Sequence, residues 1–503
     1  MPTSAPSDRP RILLLQPQFG DWERLEGFMP PLGLLHAARN LGDEFAVQIL
    51  DQRLLGARWP DALRRALQPP PLLVGLTAVI GESIGASLAM AAEVRRHCPQ
   101  VPLVWGGVAV SALPQVALGD PLVDVVVHGA GEWTLPELAR ALRDGRPLQP
   151  VAGLYLRDPA APGGVVYTGA RPWTVRNDLL PIQYSLVDMQ HYVGHYRGGG
   201  WLPMVSSFGC PGECTFCYAP GLFGGRWAAD PAEQVLAEVR EAQQKFPVHT
   251  IQFVDDNFFA DRRRALAVAR GLEPLGLRWV AHGLTISTAL RMSDADFDLL
   301  ARSGCIELGS GLESGSDRML ANLIKGHCRA EAVLVNRRLA RLPLAVNYGM
   351  MSGFPGETAA DLDQTIDLAE QLLTDNPRAQ VRHILPLFPL PGSPVWQQAL
   401  DHGFVPPATW RDWSNYEARS ARLPWLTARQ RARLDGLFLC SVFARSGVLQ
   451  RHGLRGPLPW LADHFYTPVA RWRLAHRAFD GMVEVPLVRA AEAVVRYVRH
   501  NIR

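Results

Sequence analysis

Three cysteines, Cys210, Cys214 and Cys217, fall within eight residues in the run Cys-Pro-Gly-Glu-Cys-Thr-Phe-Cys. A C-x3-C-x2-C triplet suits iron–sulfur chemistry. A cubane cluster is normally held by four thiolates. Three thiolates this close would hold three irons and leave the fourth open to chelate a small molecule and pass it an electron. A zinc knuckle or a chance grouping competes with this. Zinc asks for a closed four-ligand set, and no fourth ligand stands at zinc-finger spacing.

The other cysteines, Cys98, Cys305, Cys328 and Cys440, are scattered. An odd total without paired spacing argues against a disulfide framework and fits a reducing compartment. The four read as buried, inert thiols. At 503 residues the chain is too long for one core, so two or three domains are expected. A net charge of +3 is too small to argue for nucleic acid, and no nucleic-acid partner is expected. Lysine occurs only at Lys245 and Lys325. Met1–Pro10 is polar and rich in Pro and Ser, so no secretion leader is expected there. No run approaches the ~20 apolar residues of a transmembrane helix. The expected location is the cytoplasm.

The elements that must position the triplet alternate between strand and helix. In the first part, residues 10–145, strands are expected at Arg11–Gln16, Ala46–Asp51, Leu72–Thr77, Leu103–Gly106 and Val123–His128. Helices are expected at Leu32–Leu41, Asp61–Leu67, Ile84–His97 and Glu132–Leu142. Continuous apolar strands between helices predict a doubly wound α/β domain with a parallel sheet, whose ligands bind at the carboxyl ends of the strands. The loops there are small: Thr77-Ala78, Trp105-Gly106-Gly107 and His128-Gly129-Ala130-Gly131-Glu132. They permit close approach of a bulky ligand, and they are equally ordinary turn chemistry. Residues 146–200 are rich in Pro and Gly and read as a linker with a hairpin, Leu154–Leu156 with Val165–Thr168.

The rhythm resumes over residues 201–394. Strands are expected at Met204–Phe208, Thr250–Val254, Arg278–Leu284, Cys305–Gly309, Leu344–Met350 and Gln380–Leu387, with helices between them. Polar motifs follow the strands. Asp255-Asp256-Asn257 would serve a cation or cap a helix. Gly309-Ser310-Gly311-Leu312-Glu313-Ser314-Gly315-Ser316 offers close approach and one carboxylate. Gly353-Phe354-Pro355-Gly356-Glu357-Thr358 reads as a helix start. Leu387-Phe388-Pro389-Leu390-Pro391-Gly392-Ser393-Pro394 is a tight turn.

The triplet and these turns, in this order, resemble the radical S-adenosylmethionine (SAM) enzymes. The succession Phe28-Met29-Pro30-Pro31-Leu32-Gly33-Leu34-Leu35, Ile49-Leu50-Asp51, Trp105-Gly106-Gly107 and Gly129-Ala130-Gly131-Glu132 resembles the N-terminal cobalamin-binding domain carried by one large subgroup of them. The resemblance implies a partial (β/α)6 barrel after the first domain. It implies a [4Fe–4S] cluster on Cys210, Cys214 and Cys217, shielded by Phe216. It places SAM near Asp256, Asn257, Glu313 and Ser314, and Ser314 is also a candidate cap for the following helix. It places cobalamin near Thr77, Gly106, Gly107, Gly129 and Glu132. The D-x-H-x-x-G motif that supplies an axial histidine is absent, and His36, His97 and His128 sit in no such context. A corrinoid without a histidine ligand, or a domain that has lost its corrinoid, is implied.

The implied activity is methyl transfer to an unactivated carbon or phosphorus through a 5'-deoxyadenosyl radical and methylcobalamin. The same architecture also serves ring-forming enzymes such as the anaerobic Mg-protoporphyrin monomethyl ester cyclase, and a non-catalytic corrinoid sensor is a third possibility. The implied partners are a small-molecule or peptide substrate and a reductant such as flavodoxin or ferredoxin. Residues 395–503 read as helical and aromatic, with amphipathic segments at Thr427–Phe443 and Pro486–Arg499. Trp410, Trp413, Tyr416, Trp425, Trp460, Phe465, Tyr466 and Trp472 would line a substrate pocket or pack as core. The basic last segment would dock on the protein's own core or on a membrane.

Overall fold

Arg11–Gln16, strand β1, alternates perfectly: Leu13 and Leu15 join one apolar core, Ile12 and Leu14 another. A strand buried on both faces must lie inside a sandwich of helices, and the computed structural model places it there. It describes residues 9–20, 23, 27–171, 178–417, 423–444, 447, 449 and 456–487. The parallel partners are β2 (Ala46–Asp51), β3 (Leu73–Thr77), β4 (Leu103–Gly106) and β5 (Val125–Val127), in the order β2-β1-β3-β4-β5. The order reverses between β1 and β3. That switch point is where doubly wound sheets open a crevice for ligands.

The sheet runs past the edge expected at residue 145. The hairpin strands β6 (Leu154–Arg157) and β7 (Val165–Tyr167) continue it, with β6 antiparallel to β5 and β7 to β6. The segment read as a linker therefore extends the sheet, because β5 would otherwise expose an edge of unpaired backbone groups. Tyr192, farther along the same segment, is buried and its hydroxyl donates to Asp51 Oδ2 at 2.6 Å.

The second sheet is wholly parallel and sequential: β8 (Trp201–Met204), then β11 (Thr250–Phe253), β12 (Arg278–His282), β13 (Cys305–Glu313), β14 (Ala345–Ser352) and β15 (Ala379–Pro386). Helices cover its outer face, giving the partial (β/α)6 barrel. The first barrel strand is displaced from its expected place at Met204–Phe208. It ends at Met204, because Ser206 and Ser207 turn to the buried carboxylate of Asp255. Ser207–Gly209 instead forms a separate strand, β9, antiparallel to β10 (Trp227–Ala229), which the sequence pattern did not reveal.

The two domains are joined by buried charge. Arg39, fully buried after the helix Leu32–Ala38, reaches Asp230 Oδ2 at 3.1 Å and Glu238 Oε1 at 3.3 Å. Burial pushes the Glu238 carboxyl up to about 7, with Arg39 opposing and Asp230 reinforcing. Arg39→Met would strand two carboxylates, so a loss of about 3 kcal/mol is expected in urea unfolding. A loss below about 1 kcal/mol would show that the pair carries no net stability.

The C-terminal aromatics divide. Trp410, Trp413 and Tyr416 are buried against the first domain, with Trp410 edge-on to Trp105 at 6.0 Å. They are core. The helix Ala428–Phe443 lies along β15, and its Ser441 hydroxyl accepts the Ile384 amide at 3.0 Å, satisfying one amide of the sheet's last strand. Trp460, Phe465 and Trp472 are exposed. Residues 488–499 of the expected last helix lie outside the described residues. No helix among the described residues is long and apolar enough to cross a membrane.

Candidate active site

The cysteine loop is clamped at both ends. The β9–β10 pair joins Gly209 to Trp227. Gly209 has φ +82°, and a Cβ there would lie 2.3 Å from the Arg226 carbonyl oxygen, so the chain can enter the loop only through glycine. At the exit, Cys217 caps the helix Tyr218–Phe223, its sulfur accepting the Ala219 amide at 3.5 Å. Cys210 Sγ accepts the Gly212 amide at 3.4 Å. Cys214 Sγ lies 3.9 Å from the Ile324 carbonyl oxygen. A Cβ on Gly212 would stand 3.4 and 3.9 Å from the sulfurs of Cys210 and Cys214, so these two face one space.

Burial pushes the Cys217 thiol up to about 11 and raises that of Cys214, so deprotonation must accompany metal binding. Among the described residues no three His, Cys, Asp or Glu side chains are gathered about a single ion. A cube takes each thiolate on a different iron, so its ligands stand wider apart than around one ion. Amide N–H donors aimed at sulfur fit thiolates that carry a cluster.

Three of the four residues placed near SAM, Asp256, Asn257 and Glu313, surround this loop, and Phe216 lies within it. Asp256 Oδ2 accepts the Gly209 amide at 2.8 Å and its Oδ1 accepts the Tyr218 hydroxyl, so it braces the loop from both sides. Asn257 Nδ2 donates to Cys210 Sγ at 3.4 Å, while its Oδ1 is buried without a hydrogen-bond partner. A buried orphan acceptor is costly unless a ligand supplies the donor. Glu313 ends β13 at φ +69°, beside a register shift against β14. Such strain in a non-glycine residue collects at functional sites. Its Oε1 lies 3.4 Å from Lys325 Nζ, which stands 5.5 Å from the Phe216 ring centroid. Burial alone would lower the Lys325 pKa, but Glu313 and the thiols of Cys214 and Cys217 outweigh it, and the net direction is upward. Phe216 also packs edge-on against Phe354 at 6.0 Å.

Ser314 departs from the expectation. It is fully buried, its hydroxyl 3.0 Å from Thr365 Oγ1, and it accepts the Ser316 amide at 3.2 Å. Ser316, whose hydroxyl faces the Met319 amide, caps the next helix instead. The tight seat of Gly315 on the Gln364 backbone turns Ser314 into the fold. Asp255 likewise serves structure, through Ser206 and Ser207.

Glu357 closes the next turn by accepting the Gly353 amide, and Thr358 is the helix cap. Burial pushes the Glu357 carboxyl up to about 7, against hydrogen bonds from the Gly353 and Phe354 amides. A folded pKa raised above the unfolded value contributes stability that is full below the unfolded pKa and lost as pH rises through the folded one. Between about pH 5 and 8 this group should therefore destabilise by roughly 2 kcal/mol. Glu357→Gln is expected to flatten the fall in unfolding free energy over that range. An unchanged slope would show that the carboxyl ionises normally.

All five residues expected to serve cobalamin line one cavity of about 350 Å³ at the β1/β3 switch point: Thr77, Gly106, Gly107, Gly129 and Glu132. Gly107, at φ +96°, is pressed against Ala78 and Thr77, whereas a Cβ on Gly106 would meet nothing within 4 Å. The cavity also takes in His36, whose ring stands edge-on to Phe208 at 5.2 Å and 3.7 Å from Glu132 Oε1. No sequence motif marks this position, because His36 reaches the wall through the turn of its helix. The roof is Phe208, Leu222 and Phe223 from the second domain. Phe208 lies two residues before Cys210, and Phe223 ends the helix that Cys217 caps. Cavity and cysteine loop therefore share a wall.

Below the loop the barrel is open. Along β14, Val346, Tyr348, Met350 and Ser352 are buried, while Asn347, Gly349 and Met351 are accessible in mid-strand on the face away from the helices. Gly311 and Gly349 sit side by side in register, and a Cβ on Gly311 would lie 2.3 Å from Glu313 Oε1 and 3.5 Å from Lys325 Nζ. Arg382 reaches Glu307 at 2.9 Å, and both charges act on His282, whose pKa burial lowers. These three went unnoticed in the sequence, since only strand register brings them together.

Comparison with known proteins agrees with both halves. The B12 binding domain family matches residues 23–139, and the radical SAM superfamily matches residues 204–369. An uncharacterized methyltransferase of Pyrococcus horikoshii is 27% identical over 443 residues, covering 87% of this chain and 93% of that protein. The cytidylyl-2-hydroxyethylphosphonate methyltransferase of Streptomyces wedmorensis is 25% identical over 343 residues, covering 61% of this chain and 63% of that one. Among solved structures, the cobalamin-dependent SAM radical enzyme OxsB with aqua-cobalamin bound aligns with a TM-score of 0.72 at 16% identity, covering 98% of this chain and 76% of its own. The radical SAM methyltransferase TsrM of Kitasatospora setae, with cobalamin and a [4Fe–4S] cluster bound, gives 0.65 at 21% identity, covering 79% of each chain. At these identities the two structures speak for the fold.

Proposed function

Because this chain belongs to the radical SAM enzymes that carry an N-terminal B12-binding domain, we propose that it methylates an unactivated carbon or phosphorus of a small-molecule or peptide substrate. The observation that carries this is the shared wall: Phe208 and Phe223 border the cavity at the switch point and also bracket the cysteine loop. When bound, the cluster with SAM would supply a radical and cobalamin a methyl group, and hard chemistry of this kind belongs to cofactors rather than side chains.

The chain's own task is placement. Cys210, Cys214 and Cys217 would hold the cluster. Asn257 Oδ1, Asp256 and Glu313 are proposed acceptors for the SAM ammonium, and charge-assisted hydrogen bonds make that grip strong. Asp256, engaged by Gly209 and Tyr218, ties that grip to the loop's shape. Thr77, Gly106, Gly107, Gly129 and Glu132 would seat cobalamin. The apolar roof excludes water between the two cofactors. The accessible face of β14 at Asn347, Gly349 and Met351 is proposed as the substrate side, where the reacting groups would be held in line. A low-potential donor such as flavodoxin or ferredoxin is proposed as reductant, and the cytoplasm as location.

Anaerobic turnover of reconstituted enzyme with SAM, cobalamin and candidate substrates is the test. Formation of 5'-deoxyadenosine and a product heavier by one CH2 unit per methyl is expected. A product that loses hydrogen without gaining carbon would mean ring formation instead. No deoxyadenosine at all would mean a corrinoid-binding protein without radical chemistry. Within this scheme, Glu313→Ala should weaken SAM binding about tenfold with the cluster absorbance intact. Unchanged affinity would remove Glu313 from the site.

A further inference from the structure

Arginine supplies nearly all the positive charge of this chain, and one of its two lysines, Lys325, is buried beside the cysteine loop. The other, Lys245, is exposed and pairs with Glu241 on its own helix. The segment that carries Lys325 is fastened to the loop. The Thr215 amide donates to the Leu323 carbonyl at 3.2 Å, and the Ile324 carbonyl oxygen lies 3.9 Å from Cys214 Sγ. Ile324 has φ +54°. A β-branched residue avoids that region, and such strain persists only where the surroundings fix it. This turn leaves the Ile324 side chain half exposed and sends the Lys325 side chain inward. There the ammonium stands 3.4 Å from Glu313 Oε1 and 5.5 Å from the Phe216 ring centroid. A Cβ on Gly311 would lie 3.5 Å from it, so the glycine keeps its place clear. Phe216 lies between Cys214 and Cys217 in the chain, and both of those thiols feel the lysine charge.

A buried ion pair is a weak source of stability, because desolvation offsets its attraction. Pairing with Glu313 therefore does not explain why a strained turn holds a cation here. A fixed charge beside a redox group has a second effect. In a site of low dielectric it shifts the potential of that group. Adding an electron makes a cluster more negative, so a neighbouring cation favours the reduced form. Resting on the reading of Cys210, Cys214 and Cys217 as cluster ligands, we propose that the Lys325 ammonium raises the reduction potential of the cluster, so that a low-potential flavin or iron–sulfur protein can load it. One electron passes from that donor to the cluster, which goes from its 2+ to its 1+ level, and no bond or proton changes hands.

The test is an anaerobic redox titration of the full reconstituted chain without SAM, read by electron paramagnetic resonance of the reduced cluster. Lys325→Met should keep its iron and visible absorbance. At the wild-type midpoint its ratio of reduced to oxidised cluster should fall about tenfold, which is a midpoint about 59 mV lower. Lys325→Arg keeps the charge and should bring that ratio to within about threefold of wild type. Glu313→Gln removes the opposing carboxylate, so its midpoint should rise. That variant carries the comparison where Lys325→Met fails to hold its cluster. A midpoint that stays at the wild-type value in either neutral variant overturns the proposal and leaves Lys325 as a structural partner of Glu313. An unchanged midpoint in Lys325→Met with SAM affinity lost also overturns it, since the ammonium would then be a seat for the SAM carboxylate. A wild type that takes up no cluster overturns the ligand reading itself, and this inference falls with it.

Discussion

Replacing Cys210, Cys214 or Cys217 with alanine, one at a time, is expected to abolish SAM cleavage. Iron in the anaerobically purified protein should fall from about four atoms per chain to below one, and 5'-deoxyadenosine formation should drop by at least about a thousandfold. The reason is the absence of redundancy. Each thiolate would hold a different iron, and three of the four other cysteines, Cys98, Cys305 and Cys440, are buried in the core. Burial pushes the Cys440 thiol up to about 12, which leaves it inert at neutral pH. Cys440→Ala is therefore the control, and it should keep full iron content and activity. Asn257→Ala forms a graded companion. It removes the amide that reaches Cys210 Sγ at 3.4 Å, so the cluster should remain with altered stability. Full iron retention in all three cysteine variants would sink the assignment.

The second large effect separates two neighbouring glycines. Gly106→Leu is expected to fold like the wild type and to lose cobalamin. Its Cβ would enter open space in the cavity, so the side chain should occupy volume that the cofactor needs. Gly107→Leu should damage folding instead. That residue has φ +96°, and its Cβ would fall 2.7 Å from the Ala78 carbonyl oxygen. The strain is on the order of 1–3 kcal/mol before the clash is relieved. Cobalamin retention after reconstitution, measured beside a thermal melt, distinguishes them. Full retention by Gly106→Leu would place the corrinoid elsewhere. Electron paramagnetic resonance of the cob(II)alamin form should show no imidazole nitrogen splitting. His36 is the histidine the fold brings to this cavity, already beside Glu132 and Phe208. Splitting that vanishes in His36→Phe would make it an axial ligand and refute the expectation. No retention by the wild type would mean a domain that has lost its corrinoid.

Local chemistry was legible because it is written in spacing. The cysteine triplet carries its ligand geometry within eight residues. The apolar runs Arg11–Gln16 and Leu103–Gly106 became strands with those very bounds, since a parallel strand covered on both faces reads as one apolar run, and the part-exposed edge strand Ala46–Asp51 kept its bounds as well. The order of small loops after the strands also followed, because doubly wound sheets and barrels both place their ligands at the carboxyl ends.

What the sequence left open is what depends on contacts distant in the chain. The first barrel strand was misplaced because its end is set by Asp255, 49 residues after Ser206, taking the Ser206 and Ser207 hydroxyls. Ser314 looked like a ligand residue and was drawn into the core by Thr365. The C-terminal tryptophans share one composition, yet Trp410 and Trp413 became core and Trp460 and Trp472 stayed in water. Composition cannot tell which face of a helix finds a partner. By itself, then, the sequence determined the cysteine loop, the two sheet types and the small loops at the carboxyl ends of the strands, all of which follow from short-range periodicity and spacing. Only the tertiary structure decided that His36, Glu132, Phe208 and Phe223 meet around one cavity beside the cysteines. It alone also decided that Glu307, Arg382 and His282 meet in the lumen, because register and domain docking bring together residues that no local rule connects.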